Sequence, residues 1–149
     1  ESSHAHGLDG SVPEGGGALG KEVSVYVDRV LLVFVLSAVA PRDAVGFMRN
    51  AMAPLRPGGD ILFRDYGLYD LPMLRFPASQ KLEQRVYTRQ DGTLARFFSK
   101  EDIEDLCITL GLVLIECEYC CVEVTNRKKG LPMRRVFVHA RMRKPSVPE

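Results

Sequence analysis

The sequence predicts an α/β fold of parallel strands closed by a terminal antiparallel pair. Three observations predict it. Residues 27–39 form a near-continuous apolar run, broken only by Asp28, Arg29 and Ser37, and 60–63 form a second, shorter run. Such runs suit strands buried on both faces of a parallel sheet. Between them Ala44, Val45, Met48, Ala51, Met52 and Leu55 recur at helical spacing, giving one strand–helix–strand unit with a right-handed crossover. Residues 112–124 and 135–143 then read as two strands joined by the polar loop 125–132, a long antiparallel pair.

Each element has local chemistry behind it. Residues 1–22 are rich in Gly, Ser and His and read as loop or disorder; 23–145 form one domain, and 146–149 a tail. Pro41 suits the first turn of a helix over 41–53. Pro54 frays its last turn, and Arg56-Pro57-Gly58-Gly59 stops it before the strand 60–63. Residues 67–98 are less regular, with Asp91-Gly92 as a hairpin turn between 87–89 and 94–97. Ser99 caps a second helix, with Asp102 as a short-armed capping partner. Ile103, Leu106, Cys107 and Leu110 make its buried face, and Gly111 ends it.

Composition bounds the function. The 149 residues suit one domain, and 26% charged with 46% hydrophobic residues is a globular balance. A net charge of +1 announces no polyanion partner, but Arg127, Lys128, Lys129, Arg134, Arg135, Arg141, Arg143 and Lys144 form a late basic run without an acid. Such a run meets phosphates, or guards an edge strand against aggregation. Cys107, Cys117, Cys120 and Cys121 lack the second ligand pair of a zinc site, so no metal is expected. They read as small apolar fillers with free thiols, which suits a reducing, cytoplasmic or nuclear setting. No run reaches the length of a membrane span, and no signal-peptide pattern opens the chain.

The chemistry concentrates where the second buried strand ends, at Arg64, Asp65, Tyr66, Tyr69 and Asp70. In open α/β sheets ligands bind outside the carboxyl ends of the strands. Polar side chains released there are candidates for chemistry. The alternative is structural: Arg64 and Asp70 pair to fix the loop, and Tyr66 fills core.

Element order resembles the second half of a class I, S-adenosylmethionine-dependent methyltransferase with a Rossmann-like sheet. More specifically, Phe34-Val35-Leu36-Ser37-Ala38-Val39, Leu55-Arg56-Pro57-Gly58-Gly59, Leu62-Phe63-Arg64-Asp65-Tyr66-Gly67, Leu74-Arg75-Phe76, Tyr87-Thr88-Arg89-Gln90-Asp91-Gly92-Thr93 and Phe97-Phe98 occur in order. Together with Arg134-Arg135-Val136-Phe137 and Arg143-Lys144-Pro145, they resemble the methyltransferase-like family that makes 3-methylcytidine in tRNA. The resemblance covers about residues 27–145.

That resemblance implies methylation of cytidine N3 in tRNA, with S-adenosyl-L-methionine as cofactor and, in some members, a helper such as a seryl-tRNA synthetase. Asp65 would stabilise developing positive charge or hold the exocyclic amine. Arg64 would donate to the pyrimidine O2 or to a phosphate, and Tyr66 or Tyr69 would stack on the base. Val33, Phe34 and Leu36 would wall the methyl donor, with a hydroxyl from Ser37. Arg75, Arg89, Arg134 and Arg135 would meet the RNA backbone. The family's glycine-rich loop and ribose-binding acid are not recognisable, and Gly15-Gly16-Gly17 follows no apolar strand. The expectation is a C-terminal portion of a longer enzyme, or a truncated product, with apolar area exposed on an open edge and weak or no cofactor binding alone. Two other readings stay open: a non-catalytic RNA- or partner-binding remnant, and a small-molecule methyltransferase of the same fold.

Overall fold

The computed structural model describes residues 26–126 and 130–146. The segment 1–22, the basic residues Arg127, Lys128 and Lys129, and 147–149 lie outside the described residues. In chain order the elements are β1 (Val27–Val33), α1 (Ala44–Met52), β2 (Leu55–Tyr66), α2 (Leu71–Arg75), β3 (Lys81–Glu83), β4 (Val86–Thr88), β5 (Leu94–Arg96), α3 (Lys100–Leu110), β6 (Val113–Thr125) and β7 (Pro132–Arg143). The main sheet runs β1-β2-β7-β6; β1 and β2 are parallel, and the other pairs antiparallel. A small sheet, β3-β4-β5, stands apart.

The first strand is shorter than its apolar run. Phe34 adopts φ 55°, which a strand cannot continue through, and Leu36–Ala38 then winds into a 3-10 turn. The second strand is longer than expected at both ends. Its start absorbs Arg56 to Gly59, because Gly58 N donates to Lys144 O (2.8 Å) and Lys144 N to Gly59 O (2.9 Å). Gly58 takes φ 74° to make that approach. The strand end runs on through Arg64, Asp65 and Tyr66. These three residues therefore obey the pleat instead of leaving it as a polar tip.

Other elements match their local signals. The helix over 41–53 is a 3-10 turn, Pro41–Asp43, running into α1. The Asp91-Gly92 hairpin forms: the Asp91 carboxylate accepts from the Thr93 amide (3.0 Å) and hydroxyl (2.7 Å), and Gly92 takes φ 82°. Both capping-box bonds start α3, and Gly111 ends it at φ 66°. Helix α2 and strand β3 have no counterpart in the expected elements. Asp70 caps α2 by accepting from the Leu71 amide (3.0 Å).

Helices α1 and α3 cover one face of the main sheet. There Leu32, Ile61, Phe63, Val138, Ala140 and Met142 pack against Ala44, Met48, Ile103 and Cys107. The alternate residues face the other way, where Leu31 is 65% and Val33 46% exposed. Apolar area thus stands open along β1, the margin of the sheet, as expected of a half sheet. All four cysteines are free. Cys107 is a core filler whose thiol burial pushes up to about 11. Cys121 is exposed, so the filler reading fails there: it shares the β6 face of Cys117 but sits farther along the strand, where it borders a groove with Tyr69 and Leu74.

Candidate functional site

The two parallel strands end side by side. Val33 is in register with Arg64, and Phe34 N donates to Arg64 O at 2.8 Å. The tips are then locked by one carboxylate. Asp65 Oδ2 accepts from Ser37 N and Oδ1 from Tyr66 N, each at 2.9 Å. Asp65 has no exposed surface; burial pushes its carboxyl above the usual range, against the pull of the Ser37 and Tyr66 bonds. Leu36 and Ser37 are buried as well. Ser37 thus offers its amide to Asp65 rather than a hydroxyl to a cleft. Only Val33 and Phe34 of the expected donor wall keep open surface.

Arg64 and Tyr66 point to the opposite face from Asp65, because neighbours on a strand alternate. There Phe34 stacks on Tyr66 at 5.1 Å between ring centroids and meets Phe137 edge-on at 5.4 Å. The Arg64 guanidinium sits 4.6 Å over Phe137, and its buried Nε has no hydrogen-bond partner. Arg135 lies 5.8 Å and Arg89 5.7 Å over the Tyr66 ring. Such contacts contribute about 0.5–2 kcal/mol each. Opposite Arg64 stands His139, whose imidazole is held below its usual pKa by burial and then by the Arg64 charge.

Gly67 is required where β2 turns off. A Cβ there would lie 2.9 Å from Val136 Cγ1 and 3.1 Å from the Phe137 carbonyl carbon. The turn carries Asp70 to β7, where it accepts from Arg135 Nε and Nη2 and from Val136 N, each at 2.9 Å. Asp70 is fully buried, and its hydrogen bond to Arg135 holds that guanidinium above its ordinary pKa. Arg64, the partner of Asp70 in the structural alternative, is instead on the aromatic cluster.

Arg75, Arg89 and Arg135 come together on one cleft of about 640 Å³, with Phe76, Gln80 and Met133. Arg134 points to the other side of β7, into an apolar groove of about 470 Å³ with Tyr69, Leu74 and Tyr119. Tyr69 is 67% exposed there. Phe137, Phe97 and Phe76 lie outside the expected set. Phe76 stacks on Tyr87 at 4.7 Å, and Phe97 braces Tyr66 at 5.8 Å. The alternation Arg135, Phe137, His139 on one strand face was the signal for Phe137. Among the described residues no cluster of three metal-ligating side chains forms, and no helix is long and apolar enough to cross a membrane.

This architecture is that of the class I, S-adenosylmethionine-dependent methyltransferases. The 1,6-didemethyltoxoflavin-N1-methyltransferase of Burkholderia thailandensis, solved with bound S-adenosylhomocysteine, matches 82% of this chain and 45% of its own (TM-score 0.55, 18% identity). A methyltransferase of Methanosarcina mazei matches 83% and 61% (TM-score 0.55, 15% identity). In sequence the chain is a homologue of the tRNA N(3)-cytidine methyltransferases. It is 45% identical over 119 residues to METTL6 of Homo sapiens and 40% identical over 121 residues to Mettl2 of Drosophila melanogaster. The matches take in 80% and 79% of this chain, but 42% and 36% of those proteins. No family model matches the chain.

Proposed function

We propose that this chain supplies the nucleobase-facing part of a tRNA cytidine N3-methyltransferase. The observation that carries the reading is the Ser37–Asp65–Tyr66 lock, which sets two parallel strand ends beside an arginine-lined cleft. The named activity of the relatives supports it.

Cytidine N3 already holds a lone pair, so the reaction needs alignment more than a strong base. Positioning of that kind is worth about 7–11 kcal/mol. N3 lies on the Watson–Crick edge, so the base must leave its stack. Phe34 and Tyr66 offer the flat apolar faces to receive it, and Arg64 stands next to them as a donor. Asp65 acts as a positioning residue: with no surface to touch substrate, it fixes the Tyr66 and Ser37 backbones. Arg75 and Arg89 meet phosphates with little sequence information, while Arg135 divides its guanidinium between Asp70 and the cleft.

S-adenosyl-L-methionine supplies an electrophilic methyl group on a sulfonium. The residues present fit one wall of its site: Val33 and Phe34 carry exposed apolar surface at the strand end, and Leu36 and Ser37 brace them from below. A helper such as a seryl-tRNA synthetase enters this proposal on the family resemblance alone.

The test is methylation of an unmodified tRNA transcript by the full-length gene product. Tyr66→Ala is expected to slow single-turnover formation of 3-methylcytidine by about tenfold or more, the scale of one lost stacking contact. Asp65→Ala should do the same by disordering the tip. A wild-type rate in Tyr66→Ala, or methyl transfer to another atom, overturns the assignment.

A further inference from the structure

A second cluster of arginines lies at the other end of the sheet, away from the aromatic pocket. Arg29, Asp60 and Arg143 are register partners across β1, β2 and β7. They share a polar cleft of about 610 Å³ with Asp28, Arg56 and Arg141. Four guanidiniums thus face two carboxylates. Asp28 takes Arg56. Asp60 serves both others: Arg143 Nε lies 2.8 Å from Oδ1, and Arg141 Nε 3.1 Å from Oδ2. One carboxylate cannot satisfy two planar forks. The buried Arg141 Nε is near Asp60 but its N–H is aimed at no acceptor. Arg29 is exposed, and among the described residues it makes no ion pair with either carboxylate of the cleft. The cleft therefore keeps two surplus positive charges and unfilled donors.

We propose that this cleft is a second contact for the phosphodiester backbone of the RNA substrate, distinct from the arginines beside the aromatic pocket. The inference rests on the RNA reading above. Guanidinium forks match phosphate oxygens in pairs, and Asp60 holds them in place without neutralising them. The position selects the partner. Arg143 and Arg135 lie on one face of β7, eight residues apart, or about 27 Å at strand rise. A long, stiff polyanion reaches both clefts at once; a short acidic peptide does not.

The experiment measures binding of an end-labelled, unmodified tRNA transcript by the full 149-residue chain over a salt series. Circular dichroism checks the fold of every variant. Arg29→Glu should weaken binding and lower the slope of log K against log salt by about one. Asp60→Asn releases Arg141 and Arg143, and should tighten binding about threefold even where it lowers stability; a purely structural role for Asp60 predicts no tightening. If Arg75→Gln with Arg89→Gln weakens binding while Arg29→Glu and Asp60→Asn leave it unchanged, the second contact is wrong and the RNA reading stands. If wild type shows no salt-dependent RNA binding, both fall.

Discussion

Asp65 acts on the backbone of two strand ends at once. Its carboxylate holds two backbone amides in a place with no solvent. Removing it strands both donors, at about 1–3 kcal/mol each. Asp65→Ala is therefore expected to lose about 2–6 kcal/mol in urea unfolding. The pH dependence has a definite sign. Burial raises the folded carboxyl above its ordinary 3.8, so the folded state binds the proton more tightly than the unfolded chain. That contribution is fully present below pH 3.8 and is lost as pH rises through the folded value. The deficit of Asp65→Ala should be larger at about pH 3.5 than at about pH 7; a deficit that grows with pH would refute the raised carboxyl. Asp70 is the companion case. The dense polar stretch flagged it, but its partner Arg135 lies 65 positions away, and no local pattern announces a pair of that range. Asp70→Asn leaves the Arg135 charge half-buried and unpaired, and should cost about 3 kcal/mol, read as a shift in the unfolding midpoint.

Elements with closed local chemistry were legible; those set by distant strands were not. Helix α3 carries its own start and stop in Ser99, Asp102 and Gly111, and the Asp91-Gly92 hairpin carries its own turn. Ser99→Ala removes the acceptor of the Asp102 amide and should cost about 1 kcal/mol, seen as a lower melting temperature without a change in fold. Strand β2 is the contrary case. Pro57-Gly58-Gly59 reads locally as a stop, yet the backbone of Lys144 pairs across it. At the other end the β7 ladder pairs as far as Tyr66 with Phe137, and this sets Asp65 on the face opposite Arg64 and Tyr66. The residues of the candidate site stood out by type and density, but their directions depended on where the ladder stopped. Gly67 marks that stop. Gly67→Ala forces its new methyl into Val136 and the Phe137 backbone, at about 1–3 kcal/mol. The substitution should also change the Tyr66 and Phe137 ring resonances in NMR spectra, because the turn fixes both.

At the scale of the whole molecule, the sheet is covered on one side and open on the other. The parallel pair and the closing hairpin follow from apolar runs and loop polarity. The spatial order β1-β2-β7-β6 depends on the last strand inserting between the second and the sixth, which no local signal specifies. One consequence is physical and testable. Leu31 and Val33 stand 65% and 46% exposed on the margin strand, which has β2 as its one neighbour among the described residues. Such an edge is a template for association. The isolated chain should self-associate as its concentration rises, with a growing mean mass in sedimentation. Leu31→Lys places a charge on that surface. It removes little buried area, so stability should stay within about 0.5 kcal/mol of wild type, while association weakens. If Leu31→Lys sediments as wild type does across the same concentrations, the β1 margin is not the adhesive surface. The exposed residues of β6, Val113, Ile115 and Tyr119, would then be the ones to charge.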